Sequence, residues 1–464
     1  MAAITKDEGW GAREFSGISV GDKRLGERIK KIAEQMGARP QASINHACGD
    51  WADAKAAYRL FDNEKIKSTE ILRPHRQRVI ERMVGQEQVL VIQDTTDLNY
   101  TKHKKTKGLG SIGGVEETAG LIVHTAMVAT TEGLPLGVLC QQVWGREERE
   151  EIRVEGEHKN QPVEEKESQK WIDPILIAEE SFPEEVKAVM VSDRESDVFE
   201  FLLSAKKHGV SFAIRANQDR RLYDSPKRLW SELEGQTAKG RFTVEVAAKD
   251  KMAAREAELT VRFSTVTLRP PQRLERNRPD NWRPITVQAI LAREEHPPEG
   301  VEPLEWMLLT DLPVKNIEDA FEKLRWYRLR WLIELYHKVL KSGLHIEECR
   351  LQTRERLQRY IALRAVIGWR LLWLSYINRQ NPTDECSIVL SEPEWQALYC
   401  TIHKTTILPD KAPTVREVVR WIAKLGGFLG RKSDGEPGII VLWRGWQRLS
   451  DIVDTWRLLT STYG

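Results

Sequence analysis

The stretch "VLVIQDTTDLNY", which runs from Val89 to Tyr100, decides the fold class. Its first half is solidly apolar, as in a strand that is buried on both faces, and we expect this strand to end at Asp94. The stretch "VMVSDRESD" has the same form, because its apolar run ends at Asp193 and leads into a helical pattern. Buried strands of this kind beside helical segments predict an α/β protein.

Composition bounds the class of protein. The 464 residues predict two to four domains, and the 41% hydrophobic and 30% charged content is typical of a globular chain. The net charge is only +2, so affinity for a polyanion must come from local patches. Five scattered cysteines without a CxxC pair argue against disulfides and structural zinc. The opening "MAAITKDEGW" has no apolar signal, and no stretch reaches ~18 uncharged apolar residues, so we expect a cytoplasmic protein without a membrane partner.

Changes in the residue pattern along the chain predict five regions. The first region is helical. Residues 1–80 carry fifteen Lys or Arg against eleven Asp or Glu, which fits either a solvated face or a DNA-contacting bundle. The third alternates apolar and polar residues between prolines, as antiparallel strands do. The predicted regions are a helical domain over 1–70, a core over 71–217, a β-rich insertion over 218–313, the second part of the core over 314–375, and C-terminal helices over 376–464.

A basic stripe follows the insertion. The stretch "YRLRWLIELYHKVLK" is helical in pattern, and at roughly 100° per residue five of its polar side chains fall within a sector of about 80°. One interpretation is a ladder of ion pairs on a solvated face. The other is a metal-ligating carboxylate among cations that hold phosphates. The five residues are Tyr327, Arg330, Glu334, Lys338 and Lys341.

Three acids are candidate metal ligands. Asp94 and Asp193 each follow a buried strand, a position where an aspartate is also often a turn former or a helix cap. Together with Glu334 they suit a divalent cation, because Mg²⁺ takes one or two protein carboxylates and leaves its other positions for water and phosphate. Such ions can activate an attacking oxygen and stabilise a leaving oxygen in phosphoryl transfer.

At these residues the sequence resembles the bacterial cut-and-paste transposases of the Tn-five type, insertion-sequence family four. That family carries a Y-(2)-R-(3)-E-(6)-K signature, which Tyr327, Arg330, Glu334 and Lys341 match in type and spacing. Its two catalytic aspartates lie in contexts similar to "QDTT" and "SDRESD" here. The stretches "YRLF", "LGSI", "EKESQKW", "EWMLLT", "LGGF" and "LWRGW" extend the likeness over nearly the whole chain.

The resemblance implies a ribonuclease-H-like catalytic core with a β-rich insertion and a triad of Asp94, Asp193 and Glu334. It also implies an N-terminal helical domain that binds transposon ends and a C-terminal helical region that forms a homodimer. The chemistry it implies is nicking, a hairpin intermediate, hairpin opening and joining to double-stranded target DNA. The implied cofactor is Mg²⁺, with Mn²⁺ able to substitute.

Further DNA contacts follow from the resemblance. Tyr327, Arg330, Lys338 and Lys341 are expected to hold phosphates or position a strand, and Arg215, in the strand pattern "VSFAIRAN", joins this set. Trp306 is expected to stack on a flipped base, although its strand pattern also fits a core residue. The apolar residues expected at the dimer interface, or in a cap on the core, are Val418, Val419, Ile422, Leu425, Leu442, Trp446, Leu449, Ile452, Val453, Trp456 and Leu459.

Two alternatives remain open beside a catalytic transposase. A metal-dependent nuclease of the same fold would cut DNA without joining it. A domesticated DNA-binding regulator would keep the fold without catalysis, although the intact triad argues against this, since loss of catalysis would release Asp94, Asp193 and Glu334. The base-reading residues of the N-terminal region are not assigned, because the likeness there is loose outside "YRLF".

Overall fold

The computed structural model describes residues 9–113, 117–146, 167–246, 253–271 and 282–462. These divide into two compact units. The first unit comprises Met1–Arg82, Thr95–Glu148 and Leu332–Gly464, and the second comprises Met83–Asp94 and Arg149–Trp331. Most of the charged stretch between Arg146 and Lys170, for which we expect a loop or a solvated helix, lies outside the described residues.

The described helices are distributed along the whole chain. They are α1 Trp10–Glu14, α2 Lys23–Ala38, α3 Ile44–Ala47, α4 Trp51–Asp62, α5 Ser68–Met83, α6 Gln169–Ser181, α7 Phe199–Lys207, α8 Leu229–Glu234, α9 Ile317–Arg328, α10 Trp331–Lys338, α11 Arg354–Gln380, α12 Glu392–His403, α13 Val415–Leu425 and α14 Ile439–Thr462. Short 3₁₀ turns cover Arg194–Ser196, Ile346–Glu348 and Cys386–Ile388, and a π-helical turn covers Val339–Gly343.

Ten strands are described. They are β1 Gln88–Asn99, β2 Gly110–Ser111, β3 Ala119–Thr130, β4 Pro135–Trp144, β5 Lys187–Ser192, β6 Ser211–Arg215, β7 Gly240–Val246, β8 Arg255–Leu268, β9 Ile285–Glu294 and β10 Glu305–Thr310. The stretch "GLIVHTAMVATTEGLPLGVLCQQVW" predicts two strands around the turn "TTEG", and this is confirmed by β3 and β4, which pair antiparallel. The four alternating segments of the third region are confirmed as β7 to β10.

The second unit is built on a mixed sheet. Its strand order is β1-β5-β6-β10-β9-β8-β7. The first three strands are parallel, and β6, β10, β9, β8 and β7 then pair antiparallel in turn. The central strands are fully buried, as Leu90, Met190 and Phe212 illustrate. This agrees with the prediction that solidly apolar runs form strands covered on both faces.

Strand β1 runs further than its sequence predicts. It continues through Asp94 to Asn99 instead of ending at the aspartate. The residues after Asp94 belong to the first unit, where β3 is the neighbour of β1, and the Tyr100 amide donates to the Ala119 carbonyl 2.9 Å away. Continued pairing and the β-branched Thr95 and Thr96 explain the extension.

The N-terminal helices of the first unit follow the predicted pattern with one correction. Helix α2 begins after Asp22, whose carboxylate caps the Arg24 amide at 2.8 Å. The stretch "SINHACGDWADAKAAYRLFDNEKI" predicts a helical hairpin with Trp51 and Tyr58 on its apolar side, but Trp51 is 75% exposed and Tyr58 is 40% exposed. Buried alanines, with Leu60 and Phe61, form the packed side of α4 instead.

A buried ionic network ties α1 to α5 within the first unit. Glu14, at the end of α1, accepts a bond from Arg82 and lies 2.5 Å from Nδ1 of His75. The Nε2 atom of His75 accepts from the Val138 amide at 2.8 Å, so the proton on this ring is at Nδ1. The Arg82 guanidinium also lies over the Trp369 ring of α11, 4.3 Å from its centroid.

Helix α11 is the central helix of the first unit. It carries the buried Arg364, which donates to the carbonyls of Pro40 and Leu344, and the buried Arg359, which donates to the carbonyl of Phe61. Among the described helices it alone has the length and composition to cross a membrane, but 83% of its most apolar window is buried inside the protein. The buried core helix of a soluble protein has the same character.

The C-terminal helices make extensive contacts within their own chain. Helices α12, α13 and α14 pack on one another, and α13 and α14 also pack on α11. The C-terminal residues predicted for an interface are therefore mostly core residues, with Val418, Ile422 and Trp446 at most 3% exposed. Leu459 is 57% exposed, and so is its neighbour Leu458 at 69%.

The predicted single helix of the basic stripe is wrong. Helix α9 ends at Arg328 and α10 begins at Trp331. Between them the Arg330 amide donates to the Tyr327 carbonyl three residues back, at 3.0 Å, which tightens the turn. The 100° spacing does not hold across this turn, and a π-helical turn follows α10.

Candidate active site

Asp94 lies within β1 of the second unit, and Asp193 directly follows the neighbouring strand β5. Strands β1 and β5 are parallel, with Gln88 opposite Lys187 and Ile92 opposite Val191. Continued by two residues, this register aligns Asp94 with Asp193. A buried parallel strand fixes its backbone at both faces, so each carboxylate starts from a rigid Cα position.

Asp193 is held by the turn that follows β5. Its Oδ1 atom accepts from the Glu195 amide at 3.0 Å, so it caps the 3₁₀ turn Arg194–Ser196. The buried Ser196 hydroxyl donates to the Asp193 carbonyl at 2.8 Å and accepts from the Ser192 hydroxyl at 2.6 Å. The aspartate therefore has the capping role that its position predicted, and the cap leaves further lone pairs on the carboxylate.

The second acid of "DRESD", Asp197, forms a buried ion pair. Its carboxylate accepts from the amides of Asn217 and Gln218, at 2.8 and 2.9 Å, and from the Arg220 guanidinium at 2.6 Å. Both side chains of this pair are at most 5% exposed. The network fixes the loop after β5, and with it the position of Asp193.

Arg330 contacts the first aspartate. Its Nη1 atom lies 3.2 Å from Oδ2 of Asp94, and both side chains are less than a fifth exposed. The pair brings together two residues that the sequence separates by 236 positions. A guanidinium at this distance stabilises the ionised carboxylate, and a guanidinium is also the side-chain group that best matches the geometry of a phosphate.

Glu334, Lys338 and Lys341 belong to the first unit. Glu334 is half-buried in the first turn of α10, where a negative charge is favourable beside the helix N-terminus. Lys338 is exposed, and Lys341 lies in the π-helical turn Val339–Gly343, half-buried. Turns of this type are frequent at functional sites.

Trp306 and Tyr327 form an aromatic pair in the second unit. Their ring centroids are 5.3 Å apart at an interplanar angle of 69°, an edge-to-face contact. Tyr327 is buried, whereas Trp306 is half-buried and keeps an exposed part. Arg215, which we expected to hold phosphate, donates from Nη2 to the Glu305 carbonyl at 2.5 Å.

The donor set of the second unit fits a hard divalent cation. Asp94 and Asp193, which lie beyond the paired ends of β1 and β5, are carboxylates of the kind that Mg²⁺ typically takes from a protein. Across the described ranges, no three His, Cys, Asp or Glu side chains are gathered closely enough to hold a metal ion together. The fit therefore rests on Asp94 and Asp193.

Sequence reasoning missed the residues that support these groups. Asp197 stands within "DRESD" and was not singled out, and its partner Arg220 lies in a polar loop without a local pattern. Glu305 stands in "EWMLLT", directly before Trp306. A second acid four residues after Asp193 is a sequence signal that could have identified Asp197. Its contact with Arg220 could be found only from the three-dimensional structure.

Three family models match the chain in order. The model described as Transposase DNA-binding matches residues 7–66, Transposase DDE domain matches 165–367, and Transposase Tn5 dimerisation domain matches 366–463. In this order, and with the mixed sheet between helical ends, they define a DDE transposase. The chain belongs to the Tn5-type DDE transposases. Asp193 and Glu334 fall within the DDE match, and Asp94 precedes it.

Family membership establishes the coarse properties of the protein. It is a DNA-binding transposase that forms a homodimer, with an α/β catalytic domain between an N-terminal DNA-binding domain and a C-terminal dimerisation domain. The DDE domain uses a divalent metal ion.

Proposed function

We propose that this protein performs cut-and-paste transposition, with Asp94, Asp193 and Glu334 as its catalytic carboxylates. The observation that carries the proposal is the parallel pairing of the buried strands β1 and β5, because Asp94 lies two residues beyond the last observed pair on β1 and Asp193 lies two residues beyond it on the β5 side. The Y-R-E-K spacing adds Glu334. The proposed cofactor is Mg²⁺, with Mn²⁺ able to substitute, because the ligands are carboxylate oxygens.

The proposed reaction is a series of phosphoryl transfers. Water attacks the phosphodiester at the transposon end, and the leaving oxygen becomes a 3′ hydroxyl. That hydroxyl attacks the phosphodiester of the opposite strand, which forms a hairpin on the transposon end and releases the flanking DNA with a 3′ hydroxyl. A second water opens the hairpin and restores the 3′ hydroxyl of the transposon end for attack on target DNA. A bound divalent ion would activate each attacking oxygen and stabilise each leaving oxygen. No step forms a bond between protein and DNA.

The residues around the carboxylates hold DNA in this proposal. Arg330 and Lys341 bind phosphates near the scissile bond, and Lys338 adds to the positive field of the strand path. Tyr327 positions a strand, and Trp306 stacks on a flipped base during hairpin formation. We propose that Arg215 belongs to the same set, since a guanidinium can hold a carbonyl and a phosphate together.

The proposed regional assignments follow the sequence. Residues 1–70 bind transposon ends, 71–217 and 314–375 form the catalytic core, 218–313 form the insertion, and 376–464 form the dimerisation region. We propose that the protein acts in the bacterial cytoplasm, on the nucleoid when bound to DNA.

The test separates cleavage from binding. Asp94→Ala, Asp193→Ala and Glu334→Ala should each abolish cleavage of end DNA in Mg²⁺ and leave its mobility shift intact, because affinity comes from phosphate contacts elsewhere. Glu195→Ala is the matched control, since Glu195 lies two residues from Asp193 and its side chain is 64% exposed. Cleavage by any one of the three variants at the wild-type rate removes that residue from the triad.

A joining assay distinguishes the nuclease alternative. A pre-cut transposon end, incubated with supercoiled plasmid and Mg²⁺, should become covalently joined to the plasmid. Cleavage without joining would identify a nuclease of the same fold, and neither activity would favour a DNA-binding regulator.

A further inference from the structure

The residue before Trp306 is fixed by two side chains from neighbouring elements of the second unit. The Glu305 carboxylate accepts from the Trp230 indole nitrogen at 2.7 Å and from Nε of Arg293 at 2.5 Å. Arg293 stands directly opposite Glu305 in the pairing of β9 with β10, and Trp230 comes from α8. Arg293 also pairs with Glu234, at 2.8 Å.

The backbone of Glu305 is fixed as well. Strand β6 pairs with β10 only from Leu308 to Thr310, so the backbone of Glu305 lies beyond the end of that ladder. The Nη2 atom of Arg215, the last residue of β6, donates to the Glu305 carbonyl at 2.5 Å. An arginine side chain thus replaces the missing strand partner.

Glu305 and Trp306 point to opposite faces of the sheet, because successive side chains of a strand alternate. The Glu305 face carries Arg293 and Trp230, whereas Trp306 meets Tyr327 of α9. Glu305 therefore has no direct path to a base that stacks on Trp306. Its influence on Trp306 must pass through the backbone of β10.

We infer that Glu305 is a positioning residue for hairpin formation, an inference that rests on the proposed stacking role of Trp306. Its bonds hold the start of β10 so that the Trp306 indole is preorganised before a base is flipped. Stacking on Trp306 offsets the free energy of unstacking the base most fully when the indole is already immobilised, because no further conformational entropy is then lost on binding. Trp230 and Arg293 support the platform from the other face.

The test compares two steps of the reaction. Glu305→Ala should slow hairpin formation on pre-nicked end DNA about tenfold while the first nick stays within about twofold of wild type. Glu305→Gln keeps an acceptor for Trp230 and should recover part of the hairpin rate. Glu234→Ala is the matched control, because it removes the other partner of Arg293 and leaves Glu305 in place; it should be normal in both steps.

A double-mutant cycle with Trp306→Ala decides whether Glu305 acts through the tryptophan. In the Trp306→Ala background, Glu305→Ala should cause no further loss of hairpin rate. Additive losses, or equal slowing of both steps with a lowered melting temperature, would overturn the inference. If Glu305→Ala fails to fold, Trp230→Phe, which removes the indole donor and keeps an aromatic ring, carries the same comparison.

The same cycle separates this inference from the function on which it rests. If Trp306→Ala slows hairpin formation but Glu305→Ala and Trp230→Phe form hairpins at the normal rate, the positioning role of Glu305 is wrong and the stacking role of Trp306 stands. A normal hairpin rate in Trp306→Ala overturns the stacking role, and the positioning role with it.

Discussion

Arg330 contacts Asp94 through an ion pair of 3.2 Å, although 236 residues separate the two in the chain. The contact places a permanent positive charge at a carboxylate that we propose as a metal ligand. A guanidinium and a cation would compete for the same oxygens, since each is stabilised by the negative charge of Asp94. The tightened turn between α9 and α10 presents Arg330 at this position.

Removal of Arg330 should therefore change metal dependence and catalysis in opposite directions. In Arg330→Ala, the Mg²⁺ concentration for half-maximal activity should fall about two- to fivefold, since the competing cation is gone. The maximal cleavage rate should fall by about tenfold or more, because a phosphate contact is lost. A Mg²⁺ titration of cleavage measures both quantities.

The neighbouring Arg328→Ala is the control for that titration, since Arg328 ends α9 and is exposed. It should leave both quantities near wild type. Wild-type cleavage by Arg330→Ala would identify Arg330 as an ordinary ion-pair partner.

Asp197 should behave as a structural acid. Asp197→Ala leaves the Arg220 guanidinium buried without its partner, and breaking a buried pair in this way costs about 3–5 kcal/mol. We expect a lowered melting temperature and, at a temperature where the variant is still folded, residual cleavage, in contrast to Asp193→Ala. Calorimetry together with cleavage at low temperature checks this. Complete loss of cleavage in a fully folded variant would show that Asp197 is needed for more than stability, either in the chemistry or to position Asp193.

The network of Glu14, His75 and Arg82 should make the stability of the first unit sensitive to acid. Burial alone would raise the pKa of Glu14, but the charge of Arg82 and the bond with His75 overcome it and lower the pKa from 4.5 to about 2. Glu14 therefore contributes stability that is present above pH 4.5 and is lost as the pH falls toward 2. Burial lowers the pKa of His75 from 6.5, so the unfolded chain takes up a proton first as the pH falls below 6.5, which also destabilises the fold.

Glu14→Gln tests this linkage. At pH 7 the variant should be less stable by about 3 kcal/mol, and the difference from wild type should narrow between pH 4.5 and 2. Thermal unfolding across this pH range is the measurement. Glu81→Gln, on the exposed side of α5, is the control and should run parallel to wild type. A constant difference at all pH values would mean that packing, and not ionisation, accounts for the effect.

The dimer interface should include the exposed end of α14. Leu458 and Leu459 are exposed, whereas most apolar residues of α13 and α14 are buried within the chain. The double variant Leu458→Glu with Leu459→Glu should therefore retain its melting temperature and single-end binding but lose paired-end complexes, because charges there oppose an apolar contact. Light scattering and mobility shifts with end DNA measure this. Paired-end complexes at wild-type yield would exclude these two leucines from the interface.

Sequence patterns predicted the buried strands better than they predicted the turn at Arg330 or the packing partners of apolar side chains. The apolar runs before Asp94 and Asp193 identified β1 and β5, because burial on both faces leaves a continuous signature. Helical periodicity failed at Arg330, since i→i−3 bonds from the amides of Leu329 and Arg330 interrupt the spacing without changing composition. Helical periodicity also did not reveal whether Trp446 packs within the chain or against a partner, because a protein core and a dimer interface have the same apolar pattern.

The buried pair of Asp197 and Arg220 constrains how this family can evolve. Neither residue can be lost alone without leaving a buried charge, so the two positions should change together among relatives. A relative that has lost Asp193, and with it catalysis, should still keep Asp197 as long as it keeps Arg220. The last acid of "DRESD" should therefore persist with the fold, whereas the first acid, under the proposed mechanism, should persist only in relatives that still cut DNA.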